Sequence, residues 1–463
     1  MATKSITDPL YGTITLTPTE SAVVSAKTFQ RLHNVRQLGL AHLVFPSAGY
    51  SRFAHSVGAS YNASRMLDAI EQNSGQKIDD EYKRAYRMAA LLHDVGHYPF
   101  SHTTEDALSD FYVSGSLIRG SLLDERTEAA ESVKHEDLGA IIIDADPEIS
   151  TILGRSDDVD IKTLKGIFSK TLPHPLFGII SSELDCDRLD YLGRTSRQSG
   201  VPFGVVDVEF IISKVTLGPE GELAFDRKAA KAIDHLLVGR YYDYMQMVHH
   251  KTVEGLEWSL AECIKFALRE QPGLLSKQYV RSCVEGGTWW QKDDSWFVGL
   301  FKDQEERASS SAGLNVVRDH LAAVLYRRPA KRVWKWEAVQ ERGSREVDLR
   351  FRLANEAVTR IAREMGIDRH RFDIAVRDFK LVKLNSSDFL HEGYDEEKAR
   401  SVKIRGRDAT SYLVEDESLL IHLLAKMRNF AVNVYYLPTA GEEKSVRDEI
   451  RAKLNTALSL PAA

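Results

Sequence analysis

Cysteine is nearly missing from this chain: Cys186, Cys263 and Cys283 are its three thiols in 463 residues, far apart and never in C-x-x-C spacing. That pattern excludes a disulfide framework and a zinc ribbon, and a reducing, cytoplasmic setting is the expectation. Charge of one sign is not in excess either. A net charge of -6 gives no general attraction to nucleic acid or acidic membranes, so a polyanionic ligand needs a dedicated pocket. No apolar run is long enough to span a bilayer, and MATKSITDPLYGTITL lacks the basic, apolar and small-residue regions of a secretion signal. Internal repeats and coiled-coil heptads are also absent.

What is there is an ordinary globular composition, 43% hydrophobic and 28% charged, in a chain long enough for one main domain and a smaller one. LYGTITL (10–16) alternates as a short strand, and ESAVVSAKTFQRLHNVRQLG reads as helix. A Pro/Gly-marked loop then leads into a helix with His55 near its start. KRAYRMAALLHDV (83–95) is apolar on almost every face, which describes a helix at the centre of a bundle. VTLGPEGELAFD (215–226) is a β-hairpin candidate, and a long helical pattern covers about 227–270. Polar stretches near 113–130 and 306–315 read as loops. From about 331 the texture changes, with β-rich runs (FKLVKLN, SVKIRG, FAVNVYYL) alternating with helices such as ESLLIHLLAKM. The expected organisation is therefore mainly α, a helical bundle over 1–330 with a core at about 50–260 and small hairpins, followed by an α+β region over 331–463.

The chemistry concentrates in LLHDVGHYPFSH (91–102). An adjacent His-Asp pair is weak evidence alone, since a satisfied core histidine is the commoner outcome. His55 upstream in RFAHS and Asp187 downstream in SELDCDRLDYLGR change the odds. Two neutral imidazoles and two carboxylates make a mixed N/O set suited to a divalent ion such as Mn, Fe, Zn, Ni or Mg, with positions left open for water and substrate. His93 and Asp94 can share one ion only where their helix ends, and Gly96 is expected to supply that end.

The order H…HD…D, read as His55, His93, Asp94 and Asp187, resembles the HD-domain metal-dependent phosphohydrolases, in particular the deoxynucleoside triphosphate triphosphohydrolases. DPLYGTITL, FQRLHNVRQLG, VFPSAGYSRFAHSVG, LLHDVGHYPFSHTTE, KHEDLG and ELDCDRLDYLGR carry the likeness, well over roughly residues 4–260 and loosely beyond. The resemblance implies an HD-domain helical bundle with one divalent metal ion on those four residues, and it is compatible with a second Mg arriving with the nucleotide. Asp185 and Asp190 are the competing choices for the fourth ligand. It implies that His97, His102 and His135 face the triphosphate, with His135 protonating the leaving oxygen and Glu105 orienting it. Arg52 would grip phosphates, with Lys251 adding charge.

Gln37, Leu38 and Tyr191 would surround the sugar and crowd a 2′-hydroxyl. Arg240, Tyr244 and Val248 share one face of the long helix at i, i+4 and i+8, and Arg240 matches a substrate-contacting arginine. Tyr244, Val248 and Thr195 depart from the family's histidine, tyrosine and aspartate. A regulatory nucleotide site is implied by Lys4, Asp8, Pro9 and Gln30, whereas Ser25 and His33 stand where the guanine-reading charges fall. A homo-oligomer, dimer or tetramer, is a further implication. Three functions follow: dNTP hydrolysis to deoxynucleoside and triphosphate, with dNTPs as partners; an HD-type phosphodiesterase or 3′-5′ nuclease on single-stranded nucleic acid; or a nucleotide sensor with a vestigial centre.

Overall fold

The computed structural model describes residues 3–114, 132–169, 174–309, 314–340, 345–380, 402–406, 410–413 and 418–459. Strands β1 (Lys4–Asp8) and β2 (Gly12–Leu16) pair antiparallel, so the alternation of LYGTITL does form a strand, with Ile14 and Leu16 turned inward. Thr17 and Glu20 then form a capping box that starts α1 (Pro18–Ser25). The expected single helix breaks at Ala26, whose backbone is extended, and continues as α2 (Lys27–Gln30) and a 3-10 turn over Arg31–Asn34.

Helix α3 (Arg52–Ser74) is capped by Ser51 and stopped by Gly75 at φ 73, the left-handed geometry that favours glycine. Helix α4 (Asp80–Leu92) packs beside it. Tyr86, Met88, Ala89, Ala90, Leu91 and Leu92 are all buried, as the all-round apolar pattern requires. Around this pair lie α5 (His102–Ser109), α6 (His135–Ala145), α7 (Pro147–Gly154), α8 (Ile161–Phe168), α9 (Cys186–Ser199) and α10 (Val208–Ser213). The hairpin expected at 215–226 is present as β3 (Val215–Leu217) and β4 (Leu223–Asp226).

The pattern over 227–270 resolves into α11 (Ala230–Asp243), a π-turn over Tyr244–Val248 and α12 (Lys251–Glu270). The cause is one wide turn, in which His249 N–H donates to Tyr244 C=O five residues back at 2.7 Å. Helices α13 (Lys277–Glu285), α14 (Asp294–Ser309) and α15 (Asn315–Leu325) complete the bundle. Helix α14 runs into the stretch read as a loop at 306–315 as far as Ser309, residues 310–313 lie outside the described ones, and Asn315 already starts α15. The stretch near 113–130 also lies mostly outside them.

Strand β5 (Lys331–Gln340) opens the last region and is followed by α16 (Arg345–Glu364), β6 (Phe372–Lys380), β7 (Lys403–Arg405) and β8 (Thr410–Tyr412). The helix Leu419–Ala425, β9 (Arg428–Tyr436) and the helix Lys444–Leu458 end it. FKLVKLN contributes only its first residues to β6, since 381–385 are outside the described residues. The antiparallel sheet β5-β9-β6 packs with α16 and the last helix around a second core that includes Val333, Val358, Ile374, Val432 and Leu454. The described residues between 402 and 425 go elsewhere: β7 pairs parallel with β4, and Ile404, Leu413 and Ile421 join the first core. The region after 331 therefore interleaves two cores. No helix among the described residues is long and apolar enough to cross a membrane.

Candidate metal centre and its cavity

Helix α4 ends at Leu92, and the chain turns through His93–Phe100 before α5 begins. The expected role of Gly96 needs correction. It is not among the glycines with positive φ; the left-handed residues of this turn are Phe100 (φ 56) and Ser101 (φ 57). Gly96 is required by space instead, because a Cβ there would stand 2.1 Å from His135 O and 2.3 Å from Gly139 N. The turn thereby lies directly against the start of α6, which brings the His-Asp pair and His135 together.

The four expected ligands converge. His55 Nε2 lies 2.9 Å from Asp187 Oδ1 and 3.2 Å from His93 Nε2. His93 Nε2 lies 3.4 Å from Asp94 Oδ1 and 3.9 Å from Asp187 Oδ1. An ion held at about 2.0–2.2 Å by each donor needs donor–donor edges of about 3–3.6 Å, so the set fits a divalent metal. The tautomers fit as well. His93 Nδ1–H donates to Ala90 O at 2.6 Å and His55 Nδ1–H to Asp190 Oδ2 at 2.7 Å, which leaves both Nε2 lone pairs facing the same point. Burial lowers the proton affinity of His55, but Asp187 and Asp190 outweigh it and push the imidazole up to about 10. A cation, proton or metal, is needed at Nε2.

Behind the ligands runs a buried relay. Asp190, one of the competing ligand choices, accepts from His55 on one side and from Arg194 Nε and Nη2 at 2.9 and 2.7 Å on the other, and Arg194 Nη1 reaches Asp8 Oδ2 at 2.8 Å. Asp190 is therefore placed to orient His55. Asp185, the other choice, caps α9 through Arg188 N–H and pairs with the Arg188 side chain at 2.6 Å. Arg52 donates to Ser101 Oγ at 2.8 Å through Nε and pairs with Asp94 through Nη1. Burial raises the Asp94 carboxyl, yet Arg52 and the neighbouring histidines hold it well below the usual carboxylate range.

A second group stands beside the first. His97 stacks on His135 with ring centroids 3.9 Å apart, and His97 Nε2 faces Asp94 Oδ1 at 3.2 Å. Burial, then the Arg52 charge, drives His97 well below the ordinary histidine value, so it is neutral. His135 Nδ1–H donates to Glu105 Oε2 at 2.9 Å, and the same carboxylate accepts from the His135 backbone N–H at 3.0 Å, capping α6. Burial lowers His135, but Glu105 more than offsets it and raises the imidazole. Glu105 itself is raised by burial but held far below its usual range by His102 and His135. His102 is largely exposed, 3.5 Å from Glu105.

His93, Asp94, His97, His102, His135 and Asp187 line a cavity of about 1130 Å³ together with Gln37, Leu38, Tyr191, Arg240, Tyr244 and Val248. The i, i+4, i+8 expectation survives the π-turn, since all three of those helix positions reach the cavity. Lys251 does not: it is exposed and lines no part of it, because it begins α12 beyond the π-turn. Thr195 is buried one layer back, hydrogen-bonded to Tyr50 at 2.7 Å. Lys4, Pro9, Ser25, Gln30 and His33 lie outside the cavity lining, His33 stacked on Phe53 at 3.7 Å. Arg188, Asp243, His249 and Glu254 line the cavity without having been singled out in the sequence, and so do Asp373, Ala375, Val376 and Tyr435 of the C-terminal sheet.

Residues 52–167, which span three of the four expected ligands and the His135–Glu105 pair, match the HD domain family. Among its relatives, an uncharacterised protein of Methanocaldococcus jannaschii is 32% identical over 271 residues, 58% of this chain and 51% of that protein. A Dictyostelium discoideum homologue of the deoxynucleoside triphosphate triphosphohydrolase SAMHD1 is 26% identical over 271 residues, 56% of this chain and 49% of that protein. The chain thus spans about half the length of the curated relatives it matches. A phosphohydrolase structure from Bacteroides thetaiotaomicron shares the fold over 94% of this chain and 100% of that one, at a TM-score of 0.69 and 23% identity.

Proposed function

We propose that this chain is a metal-dependent dNTP triphosphohydrolase, converting a dNTP and water to deoxynucleoside and inorganic triphosphate. The observation that carries the reading is that the His55–His93–Asp94–Asp187 set and the His135–Glu105 pair stand side by side at the wall of one cavity, to which His93, Asp94, Asp187 and His135 contribute lining. A divalent ion on those four residues would supply charge that polarises a phosphoryl oxygen and acidifies water. His135, held protonated by Glu105, would donate its Nε2 proton to O5′ as the Pα–O5′ bond breaks and water oxygen bonds to Pα. Arg52 holds Asp94 in register and adds positive charge beside the phosphates. Leu38 and Tyr191 would oppose a 2′-hydroxyl by leaving it crowded and unpaired.

The nuclease reading needs a basic groove able to thread a strand. Glu183, Asp243, Glu254, Glu257 and Asp373 line the cavity instead, which favours a single nucleotide whose phosphates stay at the metal end. Product analysis with each dNTP, each NTP and single-stranded DNA, with Mn or Mg added, tests this. Triphosphate release from dNTPs alone is the expected result, and mononucleotide release from DNA would replace the reading with the second one.

A further inference from the structure

The turn that carries Asp94 and His97 ends in two non-glycine residues with left-handed backbone, Phe100 at φ 56 and Ser101 at φ 57. Such residues persist only where their surroundings hold them. Here a carboxylate from far along the chain does so. Asp294, the first residue of α14, accepts from the Phe100 backbone N–H through Oδ1 at 2.7 Å and from the Arg36 backbone N–H through Oδ2 at 3.1 Å, and Arg36 Nη1 lies 3.7 Å from the same Oδ2. Three residues further along α14, Phe297 packs on the Phe100 ring with centroids 6.2 Å apart. Asp294 is 2% exposed. Burial pushes its carboxyl up to about 6, and the two backbone donors and the Arg36 charge pull against burial, so it is an ionised acceptor at neutral pH.

The two residues that Asp294 grips frame Ser101. Ser101 Oγ donates to Arg36 O at 3.1 Å and accepts from Arg52 Nε at 2.8 Å, and Arg52 pairs with Asp94. A continuous path therefore runs from Asp294 through Phe100, Ser101 and Arg52 to a candidate ligand. Buried Arg31 holds the other half of the turn: its Nη2 donates to Val95 O at 3.0 Å and His97 O at 2.8 Å, and its Nη1 donates to Lys292 O at 2.9 Å, two residues before Asp294. Neither Arg31 nor Asp294 lines the cavity, so an effect of either on the centre passes through the turn.

We infer that Asp294 is a positioning residue for the metal centre: it fixes the left-handed Phe100–Ser101 corner and through it sets Arg52 and Asp94, while Arg31 fixes the same turn from Lys292. The inference rests on the reading of His55, His93, Asp94 and Asp187 as a metal set. A carboxylate suits the task because backbone N–H groups from two separate segments converge on it, one on each oxygen. Asparagine has an oxygen for only one of them.

The test is Mn titration and thermal melting of the full chain as wild type, Asp294→Asn, Asp294→Ala, Arg31→Lys and Val358→Ala. Loss of a group that orients a metal ligand lowers metal affinity about 10- to 100-fold. Asp294→Ala should weaken Mn binding within that range, and Asp294→Asn, which keeps one acceptor oxygen, by less. Arg31→Lys should weaken it too, since an ammonium cannot reach both the turn and Lys292 as the guanidinium fork does. Val358→Ala is the control: it lowers the melting temperature from within the second core and should leave the Mn Kd unmoved. Asp294→Asn is nearly isosteric and keeps the test decisive if Asp294→Ala does not fold. A purely structural Asp294 would behave like Val358, so a lowered melting temperature with an unmoved Kd in the folded Asp294 variants would overturn the inference. A wild type that binds no Mn would overturn it together with the metal reading. A weakened Kd in a protein inactive on every dNTP would uphold it and sink only the nucleotide reading.

Discussion

Gly58 stands one turn after His55 on α3, where α9 brings the Asp190–Arg194 pair against the helix. A Cβ at this position would meet Asp190 Oδ1 at 2.0 Å, Arg194 Nη2 at 2.4 Å and Asp190 Cγ at 2.8 Å. Neither side chain can swing away, because Asp190 holds His55 Nδ1 and Arg194 bridges to Asp8. Replacing glycine by alanine inside a helix favours folding by up to about 1 kcal/mol. Against this, overpacking costs about 1–3 kcal/mol, and separating a buried carboxylate from its guanidinium costs about 3–5 kcal/mol. Gly58→Ala should therefore lose about 2 kcal/mol or more and, by tilting His55, weaken divalent-metal binding about 10- to 100-fold. Gly193→Ala on α9 is the control, since a Cβ there meets nothing within 4 Å; it should be neutral or stabilising. Thermal melts and Mn titrations of the three proteins decide the matter. A Gly58→Ala protein that binds Mn like the wild type and melts like Gly193→Ala would refute the relay from Asp8 to His55.

Glu105→Gln should move the alkaline limb of the rate profile to lower pH, because Glu105 raises His135; an unmoved limb would remove His135 as the proton donor. The same pair sets a stability window. The raised His135 contributes stability that is present below about 6.5 and lost as pH rises through its folded value, whereas the depressed Glu105 contributes above about 4.3 and loses it as pH falls. The stability gap between wild type and Glu105→Gln should thus be widest between those limits. Arg52→Lys should cut kcat/KM sharply, since an ammonium cannot hold both Ser101 and Asp94 as the guanidinium fork does; equal activity would show that only charge matters. Chelation should lower the melting temperature, and Mn at a hundred times its Kd should return about 2.7 kcal/mol. An unshifted melt with EDTA and Mn would argue that His55 and His93 hold no ion.

The candidate metal end of the cavity is legible as a cluster because its residues lie where one helix ends and others begin: Arg52 and His55 after the Ser51 cap, His93 and Asp94 past the end of α4, Asp187 after the Asp185 cap. Capping residues and apolar periodicity mark those boundaries in sequence. Gly96 and Gly58 were harder to read, since close approach between helices distant in sequence leaves no local trace. Lys251 is placed in the pocket by the resemblance alone, and the π-turn, which changes the phase of everything after it, sets α12 so that this lysine lines no part of the cavity. The far wall was hidden for another reason. Along β6, Phe372 and Ile374 enter the second core while Asp373 and Ala375, on the opposite face, line the cavity. Alternation reveals that two faces exist. It does not reveal what the second face meets more than a hundred residues away.

That second face makes the cavity joint property of both cores. Glu254, one turn into α12, binds four groups from three places: His249 Nδ1 at 3.2 Å beyond the π-turn, Arg377 Nη2 on β6 at 2.5 Å, and Tyr435 Oη and Asn433 Nδ2 on β9 at 2.6 and 3.4 Å. Burial raises its carboxyl, but these donors outweigh burial and hold it down to about 2. Phe379 of β6 in turn stacks on Tyr244 at 4.6 Å, so the sheet sets the orientation of a π-turn residue that faces the cavity. Glu254→Gln keeps the shape and removes the charge, leaving the buried Arg377 guanidinium without its counter-ion at a cost of about 3–5 kcal/mol. If the sheet is a working wall, that variant should raise KM for the nucleotide much more than it lowers kcat, because the metal and His135 stand on the other core. A fall in kcat with KM unchanged would mean that the sheet acts on the chemistry, and the division of labour between the cores would have to be redrawn.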